Sequence, residues 1–259
     1  MVSLSTQQDF RRVQSLPFCY WCGQDFHRTS ATRDHIPPKA TFAAEDRQPC
    51  LWLPAHDSCN GSHKGTDQLA AQLIGLKWGR TQADGDRKIV ISTFGSEVAA
   101  IANLDIRAVV WRWVRGFHAA LYGECMPGAR VKHALETPFP HAETDALLQI
   151  ERIKDVHRNF LHEIKTQRAL QNLDRITSNN GKLTYECVWC KFCDADVWAC
   201  VFALNIHDWK DLGLTPGQPA RGCAGSYILP SGLPPNDSTR MKLTPIIVPN
   251  RDKLDPFAA

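Results

Sequence analysis

Three short clusters near the start of the sequence carry residue types able to do chemistry: Cys19-x-x-Cys22, Asp34-His35 and His56-x-x-Cys59-Asn60. Two thiols three positions apart on a tight turn form half of a soft-metal site, and Gly23 supplies the backbone freedom that such a turn needs. His56-Asp57-Ser58-Cys59 repeats the spacing with an imidazole in place of one thiol. Cys19, Cys22, His56 and Cys59 together make a Cys3His set suited to a tetrahedral structural zinc. The competing reading is two unrelated turns with buried thiols. Cys50 competes for the place of His56, but it lies too far from Cys59 to share a knuckle.

Between the two knuckles runs Thr32-Arg33-Asp34-His35-Ile36-Pro37-Pro38-Lys39-Ala40. Pro37 and Pro38 exclude a helix and force an extended exit, which places His35 at the end of a short strand with its side chain held stiffly. An imidazole with an ordinary pKa near 6.5 can take a proton from water at neutral pH, whereas a neighbouring carboxylate stays anionic and suits a hard divalent cation. Behind these residues a helix is expected over 66–78, capped by Thr66 or Asp67, with Leu69, Leu73, Ile74 and Leu76 at helical spacing.

The order of knuckle, Asp-His-Ile-x-Pro hairpin and second knuckle ending in Cys-Asn resembles the HNH endonucleases of the ββα-metal (His-Me finger) superfamily, over about residues 17–68. The resemblance implies that His35 activates the attacking water and that Asp34 and Asn60 hold one Mg2+ or Mn2+. His63 stands where a third ligand would come, or is simply a solvated loop histidine, and Arg33 or Lys64 would steady the phosphate. No asparagine occurs in the stretch Pro49-Cys50-Leu51-Trp52-Leu53-Pro54, where the family carries one that orients the histidine.

The 259 residues allow one large domain or two smaller ones, and 43% hydrophobic with 22% charged residues is an ordinary globular composition. A net charge of +3 excludes a protein that coats nucleic acid indiscriminately, so any nucleic-acid contact must come from a local patch. A polar N-terminus and the lack of any run of about 18 apolar residues predict a soluble, cytoplasmic protein without membrane contact. In that setting ten cysteines argue for metal sites or buried thiols rather than disulfides.

Beyond residue 80, residues 83–86 form a turn and residues 89–91 a β-like run. Residues 105–122 should form a strong helix, its apolar stripe made of Ile106, Val109, Val110, Trp113, Val114, Phe117 and Leu121. Arg107, Trp111, Arg112 and Arg115 lie off that stripe, as a phosphate-contacting face or as a solvated one. A second helix is expected from 143 to about 176. After the Asn179-Asn180-Gly181 turn, residues 183–189 and 197–204 should pair as a hairpin. Cys187, Cys190, Cys193 and Cys200 lie there either as small apolar strand residues or as a second zinc site. The tail from 216 onward should be mostly irregular, with one β-like run at 244–248.

The expected fold class is therefore α+β: an N-terminal zinc-stapled ββα-metal unit over 1–80, then a helical region with a C-terminal β-hairpin over 81–259 that selects the substrate or mediates a protein partner or homo-oligomer. The expected function is metal-dependent endonucleolytic hydrolysis of phosphodiesters, in DNA in preference to RNA. The alternatives are a degenerate module that binds nucleic acid or protein, and an adaptor organised by two zinc sites.

Overall fold

The computed structural model describes residues 2–26, 31–77, 90–94, 98–102, 107–126, 132–136, 173–192, 197–206, 223–228 and 246–248. The order is β1 (Ser3–Leu4), α1 (Gln7–Val13), β2 (Thr32–His35), β3 (Trp52–Ala55), α2 (Asp57–Gly61), α3 (Lys64–Lys77), β4 (Val90–Phe94), β5 (Val98–Ala102), α4 (Arg107–Tyr122), β6 (Lys132–Glu136), β7 (Asp174–Ser178), β8 (Leu183–Phe192), β9 (Val197–Ile206), β10 (Cys223–Ile228) and β11 (Ile246–Val248). Helices and mainly antiparallel sheets mix in a way compatible with the α+β class. β2 pairs with β3 and β4 with β5, while seven strands form one sheet in the order β1-β7-β8-β9-β10-β6 with β11 beside β8.

Helix α4 is the element on which the rest is arranged. One side of it packs on the large sheet, with Phe117 at 4.7 Å from Tyr185, Trp111 at 5.8 Å from Tyr227 and Tyr122 at 5.8 Å from Trp189, measured between ring centroids. Period-two alternation puts Tyr185, Cys187 and Trp189 of β8 on the face that also carries Cys200 and Phe202 of β9, and all five are buried. Each large apolar side chain so buried contributes about 1.5–3 kcal/mol. The opposite side of α4 meets β2 and the first knuckle.

Packing crosses the boundary expected at residue 80. One apolar cluster runs from Phe10 through Ile36 and Leu53 to Phe117, Tyr185 and Tyr227. β1 pairs in parallel with β7, and the Val2 amide donates to Asp174 Oδ1 at 2.6 Å. The expected turn at Asn179-Asn180-Gly181 is present, all three residues having positive φ. It ties the segment between β2 and β3 to the sheet: the Asn179 and Asn180 amides donate to the Pro49 and Gln48 carbonyls, and Lys182 pairs with Asp46 at 2.7 Å.

Several expectations need correction. Asp174–Ser178 is a strand, not the end of a helix: Asp174, Ile176 and Ser178 are buried while Arg175 and Thr177 alternate away from them, and β1 and β8 bond its backbone on both edges. The remainder of that expected helix, the turn at 83–86 and Cys193 lie outside the described residues. The expected hairpin exists as β8 and β9, but it is the centre of a seven-stranded sheet rather than an appendage to helices. α3 begins at Lys64, so Thr66 and Asp67 sit within its first turn instead of capping it. Arg112 and Arg115 of α4 are neither solvated nor open to phosphate, because both are buried; the Arg107 side chain lies outside the described residues.

Close approach of α4 to β2 requires a glycine. A Cβ built on Gly116 would lie 2.2 Å from Ile36 Cδ1 and 3.3 Å from two further atoms of that buried side chain. Gly116→Ala should therefore destabilise by about 1–3 kcal/mol through overpacking, although alanine is the better helix former. Urea denaturation measures this, and a variant more stable than wild type would refute the tight contact.

Candidate functional site

Cys19 and Cys22 lie on a turn closed by the Gly23 amide donating to the Cys19 carbonyl at 2.8 Å, with Gly23 at φ 78°. His56 is the residue before α2, its backbone extended and its ring free of any capping role, and Cys59 follows one helical turn later. That arrangement brings the two half-sites together. The ligand atoms of Cys19, Cys22, His56 and Cys59 all lie within 4.8 Å of one another. Cys22 Sγ is 3.4 Å from His56 Nδ1, close to the edge of about 3.5 Å that a tetrahedral Zn–S and Zn–N pair generates.

Burial pushes the Cys19 thiol up, but the amides of Cys22, His56 and Trp21 outweigh it and leave its pKa lowered. Burial and then the neighbouring Cys19 and Cys22 push Cys59 up to about 12. A Cys3His donor set gathered this closely could hold a metal ion such as zinc, which would neutralise the thiolates.

On β2, adjacent residues face opposite ways. Asp34 lies opposite Leu53 on the inward face and is buried, whereas Arg33 and His35, opposite Pro54 and Trp52, are on the outer one. His35 is the last residue of β2, as expected from the prolines. The Ile36 amide donating to the Leu51 carbonyl at 3.0 Å fixes the backbone just after it. Burial first, then the charges of Lys39 and Arg33, lowers the His35 pKa despite Asp34. The imidazole is thus neutral at pH 7. The Arg33 guanidinium rests over the Trp52 ring, 5.0 Å from its centroid.

Asp34 meets a partner that the motif does not contain. Its Oδ2 accepts from Arg112 Nη2 at 2.5 Å and from the Tyr20 hydroxyl at 2.6 Å, and Arg112 Nε donates to that hydroxyl at 3.2 Å. Arg112 Nη1 pairs with Asp67 of α3. Burial, then Asp34, holds the Tyr20 phenol well above its ordinary pKa and keeps it a donor. Arg115 Nη2 bonds the Trp21 carbonyl and, at 3.1 Å, that of Met126, while its guanidinium stacks 4.0 Å from the Trp21 ring centroid. α4 therefore buttresses both the knuckle and the strand.

Of the other expected residues, Asn60 is close to β2, its Nδ2 donating to Thr32 Oγ1 at 3.3 Å and to the Arg33 carbonyl at 3.5 Å, which leaves its side-chain oxygen turned away from those bonds. His63 sits edge-on to Trp21 at 4.3 Å, and its buried Nε2 has no hydrogen-bond partner. Burial, then Arg112, lowers the His63 pKa. Lys64 is exposed at the first turn of α3. Cys187 and Cys200 are buried among the aromatics of the sheet and in no disulfide among the described residues. The Cys190 side chain and Cys193 lie outside the described residues.

Sequence reasoning missed Tyr20, Asp67 and Arg112. The available signal was an arginine on the far side of a strongly apolar helix, in a chain whose only strand carboxylate within the motif needed a partner. No family model, curated protein or solved structure matches this chain.

Proposed function

We propose that this protein hydrolyses phosphodiester bonds in nucleic acid, DNA in preference to RNA, with His35 as the general base. The observation that carries the reading is the His35 imidazole at the end of β2, on the same outer face as Arg33, where burial and the charges of Lys39 and Arg33 lower its pKa. A phosphate drawn to those cations sits next to a group able to take a proton from water. The attacking oxygen forms a bond to phosphorus as the proton passes to the His35 ring, and the bond to the departing ester oxygen breaks. Arg33 or Lys64 would steady the phosphate from the side. The resemblance of residues 17–68 to HNH endonucleases supports the assignment, and the Cys3His zinc holds β2, β3 and α2 in place. The sheet built on β7 to β10 would then select the substrate or a protein partner.

The Mg2+ or Mn2+ implied by that resemblance does not fit Asp34 as it stands. Asn60 uses only its nitrogen in its bonds to β2, and His63 Nε2 has no hydrogen bond among the described residues, but Oδ2 of the Asp34 carboxylate already accepts from Arg112 and Tyr20. That observation favours a second reading, a zinc-organised module that binds nucleic acid or a protein partner without cleaving it.

Plasmid nicking by wild type and His35→Ala, with and without added Mg2+ or Mn2+, separates the two. Loss of about 10²–10⁴-fold in rate is expected on removing a general base. Because the His35 pKa is lowered, the imidazole stays neutral below the ordinary value of about 6.5. The wild-type rate should hold its plateau through that pH and fall only at more acid values. Wild type that nicks no faster than His35→Ala removes the nuclease reading.

A further inference from the structure

The guanidinium of Arg112 is enclosed on all sides that matter. Nη2 bonds Asp34, Nη1 bonds Asp67, Nε bonds the Tyr20 hydroxyl, and the side chain is 2% exposed. Every nitrogen of the fork has an oxygen partner, so the group is fixed rather than sampling positions. It reaches Asp34 from 78 residues away in the chain, and Gly116 on the same helix lets α4 approach closely enough for the contact.

A hard divalent cation needs a carboxylate oxygen at about 2.0–2.5 Å and an anionic environment. An ion placed on Asp34 here lies within a few ångströms of a permanent positive charge. At such a distance in a partly buried site, repulsion weakens binding by on the order of 10³-fold or more. His63, whose Nε2 is buried without a partner, also lies close enough to feel the Arg112 charge. Two of the expected ligands, Asp34 and His63, thus lie near a cation that the chain itself provides.

We infer that the Arg112 guanidinium occupies the charge-neutralising place at Asp34, so that Asp34 holds no divalent cation while Arg112 is present. The inference concerns cation binding alone and stands whether or not His35 supports hydrolysis. It also gives Arg112 a positioning role: the same group that satisfies Asp34 fixes β2, and therefore His35, against α4.

Binding of Mn2+ to the zinc-loaded full chain, followed by electron paramagnetic resonance of the free ion, tests this. Wild type and Asp34→Asn should give superimposable titrations. Asn60→Ala and His63→Ala, which leave the ion pair in place, should match them. Arg112→Met should gain a Mn2+ site at least tenfold tighter than any in wild type, and Arg112→Met/Asp34→Asn should lack it. The inference is overturned if wild type binds Mn2+ tenfold or more tightly than Asp34→Asn, Asn60→Ala or His63→Ala. It is equally overturned if folded, zinc-loaded Arg112→Met gains no site. Should Arg112→Met fail to fold, the comparison of wild type with Asn60→Ala and His63→Ala still decides it.

Discussion

Cys59→Ser loses its zinc and with it the cooperative fold of the segment from β2 to α2. Cys59 is the ligand on the turn after His56, and no other side chain in the cluster can take its place without moving α2. Structural zinc contributes about 10–16 kcal/mol in small zinc peptides, against a typical domain stability of about 5–15 kcal/mol. Losing one of four ligands should therefore cost on the order of 5 kcal/mol. Metal content by atomic emission and a thermal melt measure it together. A variant that keeps stoichiometric zinc, or that melts with wild type, would show that these residues are merely neighbouring thiols.

Arg112→Met is expected to cost about 3–5 kcal/mol, because it leaves the carboxylates of Asp34 and Asp67 in a buried site with no countercharge. Arg112 itself is only the visible half of the effect. In a double-mutant cycle, Arg112→Met/Asp34→Asn should recover a substantial part of the loss, since the cost lies in the stranded anion rather than in the missing contact. Chemical denaturation of the four proteins gives the coupling. Strictly additive losses would mean that the two residues do not act as a pair.

The Cys3His cluster was legible in the sequence because its information is local. Ligand spacing of three residues on a turn, and again across one helical turn, fixes each half-site without reference to the rest of the chain. The position of His35 at a strand end was legible for the same reason, through Pro37 and Pro38. The hydrophobic stripe of α4 was legible from its period, and the strands of the central hairpin from their β-branched and aromatic runs.

What escaped was non-local. Nothing near Asp34 announces Arg112, and an arginine off an apolar stripe reads as solvent-facing unless a second packing surface is known. Asp174 and Ile176 fit a helical period as well as a strand one, and only pairing with β1 and β8 decides between them. Asp67 looked like a helix cap because its partner lies on α4. Each of these residues depends on contacts made across the expected boundary at residue 80.

The span of these contacts also bears on the order in which the molecule can assemble. All four residues of the cluster that could hold zinc lie between Cys19 and Cys59, so they can come together while later segments are still being synthesised. The inward Asp34 carboxylate cannot be neutralised until a helix 78 residues further on arrives, and β1 waits for β7, with Val2 and Asp174 separated by 172 residues. A nascent chain would therefore pass through a stage in which that cluster is complete while Asp34 is still hydrated and the β1 edge is open. Contacts between residues so far apart in sequence are slow to form. Completion of the site is then timed by the emergence of α4 and the sheet, and not by the capture of zinc.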